Sequence, residues 1–398
     1  MKRLFPIFAL LFLSLFALSA CRSPLTPAES QSSSESEKTG TEIDNFATLQ
    51  NGVVIVLAED RSSYTVTGYT GTDATVVIPS EYKGVTITAI GDSAFRYCDS
   101  AKSLTSVVIP DSVTIIGDYA FYECTGLTSV TIPDSVTVIG EWTFAYCNNL
   151  TSAVIPDSVK NVGKHAFYYC AGLTSVTIGN SVTIIGDYAF YECRSLTAVT
   201  IPDSVADIGR NAFSYCTALT SVTIPNSIES VGYNAFYGCS NLVYNEYNNA
   251  YYLGNSTNPY VVLIEAKDEN ITSCTIHEDT KIIISYAFSH CYRLASVAIP
   301  NSVTNISECA FSTCRNLTSI TIGDMVTVIG KEAFYSCDSL TNVYYHGTAE
   351  EWSAVEIGDY NEDLTNATRY YYSETRPTNE GNFWHYDNYG NIVVWGYK

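Results

Sequence analysis

Cysteine is the residue type with the widest chemical potential in this sequence, because a thiol can bind a metal, form a disulfide or act as a nucleophile. Thirteen cysteines are present, and ten of them end a Phe-x-x-Cys motif. The motif recurs every 23 residues from Cys124 to Cys239 and again from Cys291 to Cys337. These ten ladder cysteines are Cys98, Cys124, Cys147, Cys170, Cys193, Cys216, Cys239, Cys291, Cys314 and Cys337. Because the sequence has no Cys-x-x-Cys pair and no Cys/His cluster, we predict no metal site.

The regular spacing favours a structural role for the ladder cysteines. We expect free, buried thiols that pack as small hydrophobic groups. The alternative is disulfides between successive repeats, since neighbouring strands lie about 5 Å apart, although bridged frameworks are typical of small domains without a core. Cys274 stands at an inward strand position and is expected in the core. Cys309 stands at a position that varies between repeats and is expected to be an exposed thiol.

Histidines and carboxylates could supply acid–base chemistry, but neither forms a recognisable site. The five histidines have no repeated partner, so we interpret them as surface residues: His165, His277, His290, His346 and His385. No Gly-x-Ser-x-Gly, His-Glu-x-x-His, phosphate-loop or dinucleotide-glycine motif is present. A glycosidase pair of carboxylates could assemble from separate repeats, but no pair stands out, and a regular array offers no sheltered apolar site by itself. The sequence therefore predicts a protein that is not an enzyme and needs no cofactor.

Each 23-residue unit has the pattern of one coil of a solenoid. In Ser129-Val130-Thr131-Ile132 polar and apolar residues alternate, as in a half-buried strand, and Pro133 ends that strand. Asp134-Ser135 supplies turn chemistry, and a short helical or 3₁₀ segment is expected to begin near Phe144. One coil cannot bury its apolar side alone, so stacked coils must share a core. We predict about ten such coils over residues 84–345.

One step in the array is longer than the others, because Cys239 and Cys291 are 52 residues apart. Two strand-like runs, Tyr244–Leu253 and Tyr260–Ala266, flank turn signals at residues 254–259. They predict a β-hairpin insertion near residues 240–270 that projects from the solenoid and carries a binding patch. The patch consists of Tyr244, Tyr247, Tyr251, Tyr252 and Tyr260. The alternative is a structural break whose tyrosines pack on the neighbouring coil.

The two ends of the chain differ from the repeats. Lys2, Arg3 and an apolar run to Leu18 are typical of a secretory signal over residues 1–21, and Leu18-Ser19-Ala20-Cys21 resembles a bacterial lipobox. That resemblance implies lipidation of Cys21; an ordinary signal with an incidental cysteine is the alternative. Residues 22–45 are Ser/Glu-rich and are expected to form a disordered tether. Residues 46–83 and 346–398 are expected to cap the array, the latter with a helix after Thr348 and an aromatic hairpin.

The surface predicted from this pattern is acidic, with two contrasting sides. A formal net charge of −21 argues against nucleic-acid partners. The outward strand positions are mostly Ser and Thr, which suit an exposed strand and lack hot-spot side chains; binding of an ordered polymer there is the minor alternative. Tyrosines collect instead around Phe-x-x-Cys, where they either cover the core or contact sugars or proteins. They are Tyr97, Tyr122, Tyr146, Tyr168, Tyr169, Tyr191, Tyr215 and Tyr237.

The pattern L-x-x-V/I-x-I-P-x-S-V-x-x-I-G-x-x-A-F-x-x-C resembles the BspA-type bacterial leucine-rich repeat over residues 84–345. The resemblance implies a solenoid with a parallel sheet on its concave face and a bacterial cell-surface location, here through a lipid anchor. It also implies adhesion or protein binding, with host extracellular-matrix or other surface proteins as partners. A carbohydrate-binding surface protein and a structural spacer are the alternative functions.

Overall fold

A computed structural model describes residues 43–96, 104–378 and 380–395, which fold as a β-solenoid. Its first strands are β1 (Phe46–Thr48), β2 (Val53–Leu57), β3 (Tyr64–Tyr69), β4 (Thr75–Val77), β5 (Glu81–Tyr82) and β6 (Val85–Ile90). β1, β2 and β3 form an antiparallel meander, and β3 then pairs in parallel with β6. This end of the solenoid is therefore closed by antiparallel strands before the regular coils begin.

The first stack of coils places two short strands in each repeat. These strands are β7 (Ser106–Val108), β8 (Ile115–Ile116), β9 (Ser129–Thr131), β10 (Val138–Ile139), β11 (Ser152–Ile155), β12 (Asn161–Val162), β13 (Ser175–Ile178), β14 (Ile184–Ile185), β15 (Ala198–Thr200), β16 (Asp207–Ile208), β17 (Ser221–Thr223) and β18 (Ser230–Val231). The odd-numbered strands pair in parallel as a Ser-Thr sheet in two sections, β7 to β13 and β15 with β17. The even-numbered strands pair in parallel as a short-strand sheet. Each residue pairs with its equivalent one repeat later, as Ser106 does with Ser129.

The third side of each coil, which we call the turn face, runs from the glycine of the repeat through Phe-x-x-Cys. Two residues there take positive φ, as Tyr119 (57°) and Glu123 (58°) do in one coil. Alternate N–H groups donate to the next coil: Tyr119 N to Glu141 O at 2.9 Å, and Phe121 N to Thr143 O at 2.8 Å. The expected helical segment is thus a series of turns, because left-handed residues interrupt any helix. All three sides of the coil carry hydrogen bonds between repeats.

The core lies between these three sides and is filled by the repeated apolar positions. Phe95, Phe121 and their equivalents to Phe236 are buried and form one continuous stack with ring centroids 4.9–5.6 Å apart. Glycine is required where the short-strand sheet meets the turn face. A Cβ on Gly163 would lie 2.4 Å from the Gly140 carbonyl oxygen of the preceding coil. The Ile-Gly pair of the repeat therefore sets how closely the coils approach.

The segment after Leu242 interrupts the regular coils. It contains β19 (Asn245–Tyr247), β20 (Ala250–Leu253) and β21 (Val262–Ala266) as a second antiparallel meander. Asn248 and Asn249 take φ values of 39° and 65°, so they form the two-residue turn between β19 and β20. The expected hairpin thus divides into three strands. It does not project from the array either, because β21 pairs in parallel with the next coil.

A second stack follows the meander and ends in a modified coil. Its strands are β22 (Ser273–Thr275), β23 (Ile282–Ile283), β24 (Ser296–Ala298), β25 (Asn305–Ile306), β26 (Ser319–Ile322), β27 (Val328–Ile329) and β28 (Asn342–Tyr345). The remaining elements are α1 (Ala349–Ser353), β29 (Glu356–Ile357), α2 (Glu362–Asn366), β30 (Thr368–Tyr372), β31 (Phe383–Tyr386) and β32 (Ile392–Val394). β29 and β30 extend the two parallel sheets, so the coiled path continues beyond residue 345. Thr348 caps the N-terminus of α1 in a capping box that Glu351 completes.

The last Phe-x-x-Cys turn is closed by side chains rather than by another turn. Asn361 accepts a hydrogen bond from Phe334 N at 2.9 Å, and Asp363 accepts one from Cys337 N at 2.9 Å. The Asn361 side chain replaces the carbonyl group that a further coil would supply to Phe334 N, whereas Asp363 adds an acceptor for Cys337 N, which in the other coils donates within its own coil. In the described part of the chain, no helix is both long and apolar enough to cross a membrane.

Candidate binding surface

The turn face of the first stack presents a continuous group of aromatic side chains. The exposed rings of these coils stand at three positions: two residues before Phe, and one or two residues after it. We call the following residues the aromatic face: Tyr119, Tyr122, Trp142, Tyr146, His165, Tyr168, Tyr169, Tyr188, Tyr191, Tyr215 and Tyr237. All are partly or fully exposed, with Tyr237 at 54%. The solenoid therefore brings into one surface rings that are 23 residues apart in sequence.

One row of this face is a stack of parallel rings. Trp142 lies 3.9 Å from His165 and 6.0 Å from Tyr119, and His165 lies 4.8 Å from Tyr188, measured between ring centroids. Each of these pairs is within 5° of parallel. The residues share a positive φ, so the backbone repeats and the rings align. Within this row the ring faces cover one another, which leaves the ring edges towards solvent.

The neighbouring rows pack mainly edge to face. Tyr146 meets Tyr122 and Tyr168 at 5.5 Å, with interplanar angles of 73° and 69°. Tyr215 meets Tyr191 at 5.6 Å and 77°. Such pairs add roughly 0.5–1.5 kcal/mol each beyond area burial. The aromatic face is thus an ordered surface whose side chains are largely fixed before any partner arrives.

Burial favours the neutral forms of several side chains on this surface. Burial raises the pKa of Tyr191 to about 12, and burial also raises the pKa of Tyr168. Burial lowers the pKa of His165, although Asp187 opposes that shift. Glu192 accepts a hydrogen bond from the Tyr169 hydroxyl at 2.7 Å and pairs with the Arg194 guanidinium. These shifts favour uncharged rings at Tyr168, Tyr191 and His165.

The five tyrosines of the insertion do not form the single exposed patch that the sequence predicts. Tyr252 is wholly buried, so the prediction that places it in a surface patch is wrong; its strand β20 lies between β19 and β21 and its ring points into the core. Tyr244 and Tyr251 are half-buried and pair at 5.6 Å. Tyr247 is 37% exposed and lies 5.6 Å from Tyr260. Two small ring pairs therefore stand in place of one patch.

The described ladder cysteines are buried and free, and no disulfide joins any cysteine in the described ranges. Nearly all of these thiols donate a hydrogen bond to a phenylalanine carbonyl oxygen of the preceding coil. Cys170 Sγ, for example, donates to Phe144 O at 3.1 Å. Burial raises the pKa of the Cys170 thiol to about 12. Cys274 is in the core as expected, whereas Cys309 is 4% exposed, so the expected exposed thiol is wrong. Tyr286 and Glu332 contact Cys309, as the adjacent coils cover this position.

The remaining cysteines, tyrosines and histidines named in the sequence analysis differ in where they lie. Cys21, Cys98 and Tyr97 lie outside the described residues. The five histidines are partly exposed, but each contacts an aromatic ring, a partnership that the sequence analysis missed. The pairs are His165–Trp142, His277–Tyr260, His290–Tyr292, His346–Tyr372 and His385–Trp395. Among the described residues, no group of three His, Cys, Asp or Glu side chains is arranged to hold a metal ion.

The sequence analysis also missed the parallel ring row as a unit. Tyr119, Trp142, His165 and Tyr188 all stand two residues before the Phe of Phe-x-x-Cys. That shared position was the available signal. It went unused because one of the four is histidine and another tryptophan, so the row is not a run of one residue type.

The chain is similar to several solved structures of bacterial leucine-rich repeat proteins. A leucine rich cell surface protein of Faecalibacterium prausnitzii A2-165 is 27% identical, with 80% of this chain and 99% of that chain covered and a TM-score of 0.39. A leucine-rich repeat protein of Bacteroides ovatus ATCC 8483 is 24% identical, with coverages of 83% and 94% and a TM-score of 0.40. The pneumococcal vaccine antigen PcpA is 18% identical, with coverages of 84% and 95% and a TM-score of 0.42.

No curated protein matches the chain. The sequence model of the BspA type leucine rich repeat region matches residues 76–197, 160–257 and 266–359, in six copies. These segments span well over half of the chain and coincide with the two stacks of coils. The protein therefore belongs to the BspA type leucine-rich repeat family.

Proposed function

We propose that this protein is a non-catalytic bacterial surface adhesin that binds protein partners through its aromatic face. The observation that supports the proposal is the fixed, partly exposed ring surface of the first stack. Tyrosine and tryptophan dominate the energetics of protein interfaces because they bury large areas with little loss of side-chain freedom. The Ser-Thr sheet lacks such residues over most of its length. Host extracellular-matrix proteins are the first partners to test.

Protein partners suit this surface better than glycans do. A sugar ring stacks on the open face of an aromatic ring, but the faces in the parallel row cover one another at 3.9–6.0 Å. The C-terminal hairpin, a second place for sugar binding, keeps Trp384 buried and stacks Trp395 on His385. Glycan binding is therefore the second candidate function, supported chiefly by Tyr389, which is 90% exposed.

The experiment replaces the ring row without disturbing its backbone. Asn211 and Asn234 occupy the row position in the next two coils with φ values of 52° and 57°. A variant with Tyr119, Trp142 and Tyr188 all changed to Asn should therefore keep the left-handed turns, which asparagine tolerates well. The matched control changes Thr131, Thr177 and Thr200, exposed on the Ser-Thr sheet, to Asn.

Binding of the purified protein to immobilised matrix proteins and to a glycan array is then measured for both variants. We expect the ring variant to lose matrix-protein binding by at least about tenfold, equivalent to ~1.4 kcal/mol, while the threonine variant binds as wild type does. Equal binding by wild type and ring variant contradicts the proposal. Failure of wild type to bind either array favours a structural spacer.

The surface location is proposed to depend on lipidation of Cys21. The residues Leu18-Ser19-Ala20 before this cysteine resemble a lipobox, and two or more acyl chains anchor a protein stably. Metabolic labelling with a fatty acid should mark wild type but not Cys21→Ala, which should leave the membrane fraction or remain unprocessed. Absence of label from wild type would show that the anchor is wrong while leaving the binding proposal untouched.

A further inference from the structure

The parallel ring row has two ends, and they differ. At its N-terminal end the Arg96 guanidinium lies over Tyr119 at 4.8 Å and over Tyr122 at 5.0 Å. At its C-terminal end Tyr188 stacks on His165, and the equivalent position in the next coil is Asn211. The row thus begins under a guanidinium and ends at a ring with only a short side chain beyond it.

Other aromatic rings of this chain are covered in the way that Tyr119 is. Lysine or arginine groups of the same chain lie 4.3–5.9 Å from these ring centroids. The pairs are Lys83–Tyr82, Lys267–Tyr251, Lys331–Tyr360 and Arg369–Trp352. Within the described part of the chain no such group is placed over Tyr188. Arg210, which precedes Asn211 in the next coil, lines a groove with Lys164, Asp187 and Asp207.

The position that follows Tyr188 in the row has the same left-handed backbone conformation but carries no aromatic ring. Asn211 takes a φ of 52°, close to the 56° of Tyr188, and its Oδ1 accepts a hydrogen bond from Ser214 Oγ at 3.1 Å. Asn234 continues the row in the following coil. Two successive coils with short side chains leave a notch about 10 Å long at the usual strand spacing, enough for a planar group to lie on the Tyr188 ring.

We propose that this notch binds the guanidinium of an arginine side chain presented by a protein partner. This inference rests on the proposed function, in which the aromatic face is the binding surface. It adds the chemical group of the partner that this surface recognises. Arginine is favoured over lysine because a planar guanidinium stacks on a ring as well as attracting its electrons. The formal net charge of −21 also favours a basic partner.

The test fills the notch without changing any charge. Asn211→Tyr introduces the residue that three other coils carry at this position, as Tyr119, Tyr188 and Tyr286, so the backbone should accept it, and the new ring should cover Tyr188. Asn316→Tyr, at an exposed position in the second stack, is the matched control. The probe is a fluorescein-labelled Gly-Arg repeat peptide, with Gly-citrulline, Gly-Lys and Gly-Tyr peptides for comparison, measured by anisotropy at physiological ionic strength.

We expect wild type to bind the arginine peptide more tightly than the other three peptides. Asn211→Tyr should weaken arginine-peptide binding by about three- to tenfold, the size of one cation–π contact, while Asn316→Tyr binds as wild type does. The inference is overturned if Asn211→Tyr binds within twofold of wild type, if citrulline binds as well as arginine, or if the tyrosine peptide binds best. If the ring variant still loses matrix-protein binding in those cases, the proposed function stands without this site.

Discussion

At the scale of single residues, the polar side chains of the repeat act as links between coils. Thr128 Oγ1 donates to Thr105 O at 3.1 Å, and Ser135 Oγ donates to Val113 O at 2.6 Å. Cys147 Sγ donates to Phe121 O at 3.3 Å. The sequence predicts the burial of the thiols correctly from their spacing. It does not reveal their acceptors, because a carbonyl group one coil away has no signature in residue types.

These acceptors change what a serine should do at a ladder position. Cys193 Sγ donates to Phe167 O at 3.3 Å, so the hydroxyl of Cys193→Ser has a partner in the core. We expect a loss of about 1 kcal/mol in the free energy of unfolding, below the 1–3 kcal/mol of an unsatisfied buried hydroxyl. Cys193→Ala, which removes the donor, should lose at least as much. Denaturant unfolding measures both, and a serine variant much less stable than the alanine variant contradicts the hydrogen bond.

Denaturant unfolding should also distinguish the buried tyrosine of the insertion from the exposed one. Tyr252 is wholly buried, whereas Tyr247 is 37% exposed on the adjacent strand. Tyr252→Ala should lower the free energy of unfolding by about 3–5 kcal/mol, as truncation of a buried aromatic ring does, and Tyr247→Ala by less than about 1 kcal/mol. Equal effects of the two substitutions would contradict the burial difference.

At the scale of elements, local sequence patterns predict well where strands and helices lie. They predict less well which strands pair with one another. The run Tyr260–Ala266 contains β21, and the helix expected after Thr348 is α1, which Thr348 caps. The run Tyr244–Leu253 was predicted as one strand, but Asn248-Asn249 turns it back on itself. Asparagine enters left-handed conformations easily, so this turn could have been predicted; the pairing of β21 with the next coil could not, because it depends on contacts distant in sequence.

The C-terminal end of the array depends on one buried amide. Asn361 is 3% exposed, accepts from Phe334 N, and donates to Gly330 O at 2.9 Å and Gly358 O at 2.8 Å. Asn361→Ala removes the partner of Phe334 N and of Gly358 O, while Gly330 O keeps a hydrogen bond from Ala333 N, so we expect a loss of about 2–4 kcal/mol from the free energy of unfolding. Asn366→Ala, at an exposed position in α2, should change it by less than about 0.5 kcal/mol. Similar melting temperatures for the two variants would show that the cap does not stabilise the array.

At the scale of the whole molecule, the solenoid consists of two stacks joined by the 244–266 meander. The phenylalanine rings form one stack from Phe95 to Phe236 and another from Phe288 to Phe334, and the short-strand sheet divides at the same place. Buried residues of the meander, including Leu253 and Val262, contact the first core. The division falls at the 52-residue step of the sequence, where one repeat lacks its Phe-x-x-Cys turn and the ring stack is interrupted.

Two stacks joined in this way should lose their protection against amide hydrogen exchange separately. In a linear array each coil contacts only its neighbours, so damage spreads until it reaches a weak interface. Phe311→Ala removes a buried ring from the second stack, at a cost of about 3–5 kcal/mol. Hydrogen exchange followed by mass spectrometry should then show faster exchange in residues 273–345 and unchanged exchange in residues 104–235. Phe167→Ala, the matched change in the first stack, should give the reverse pattern. Acceleration throughout the chain in both variants would mean that the meander couples the stacks into one cooperative unit, and the division seen in the ring stack would then carry no energetic boundary.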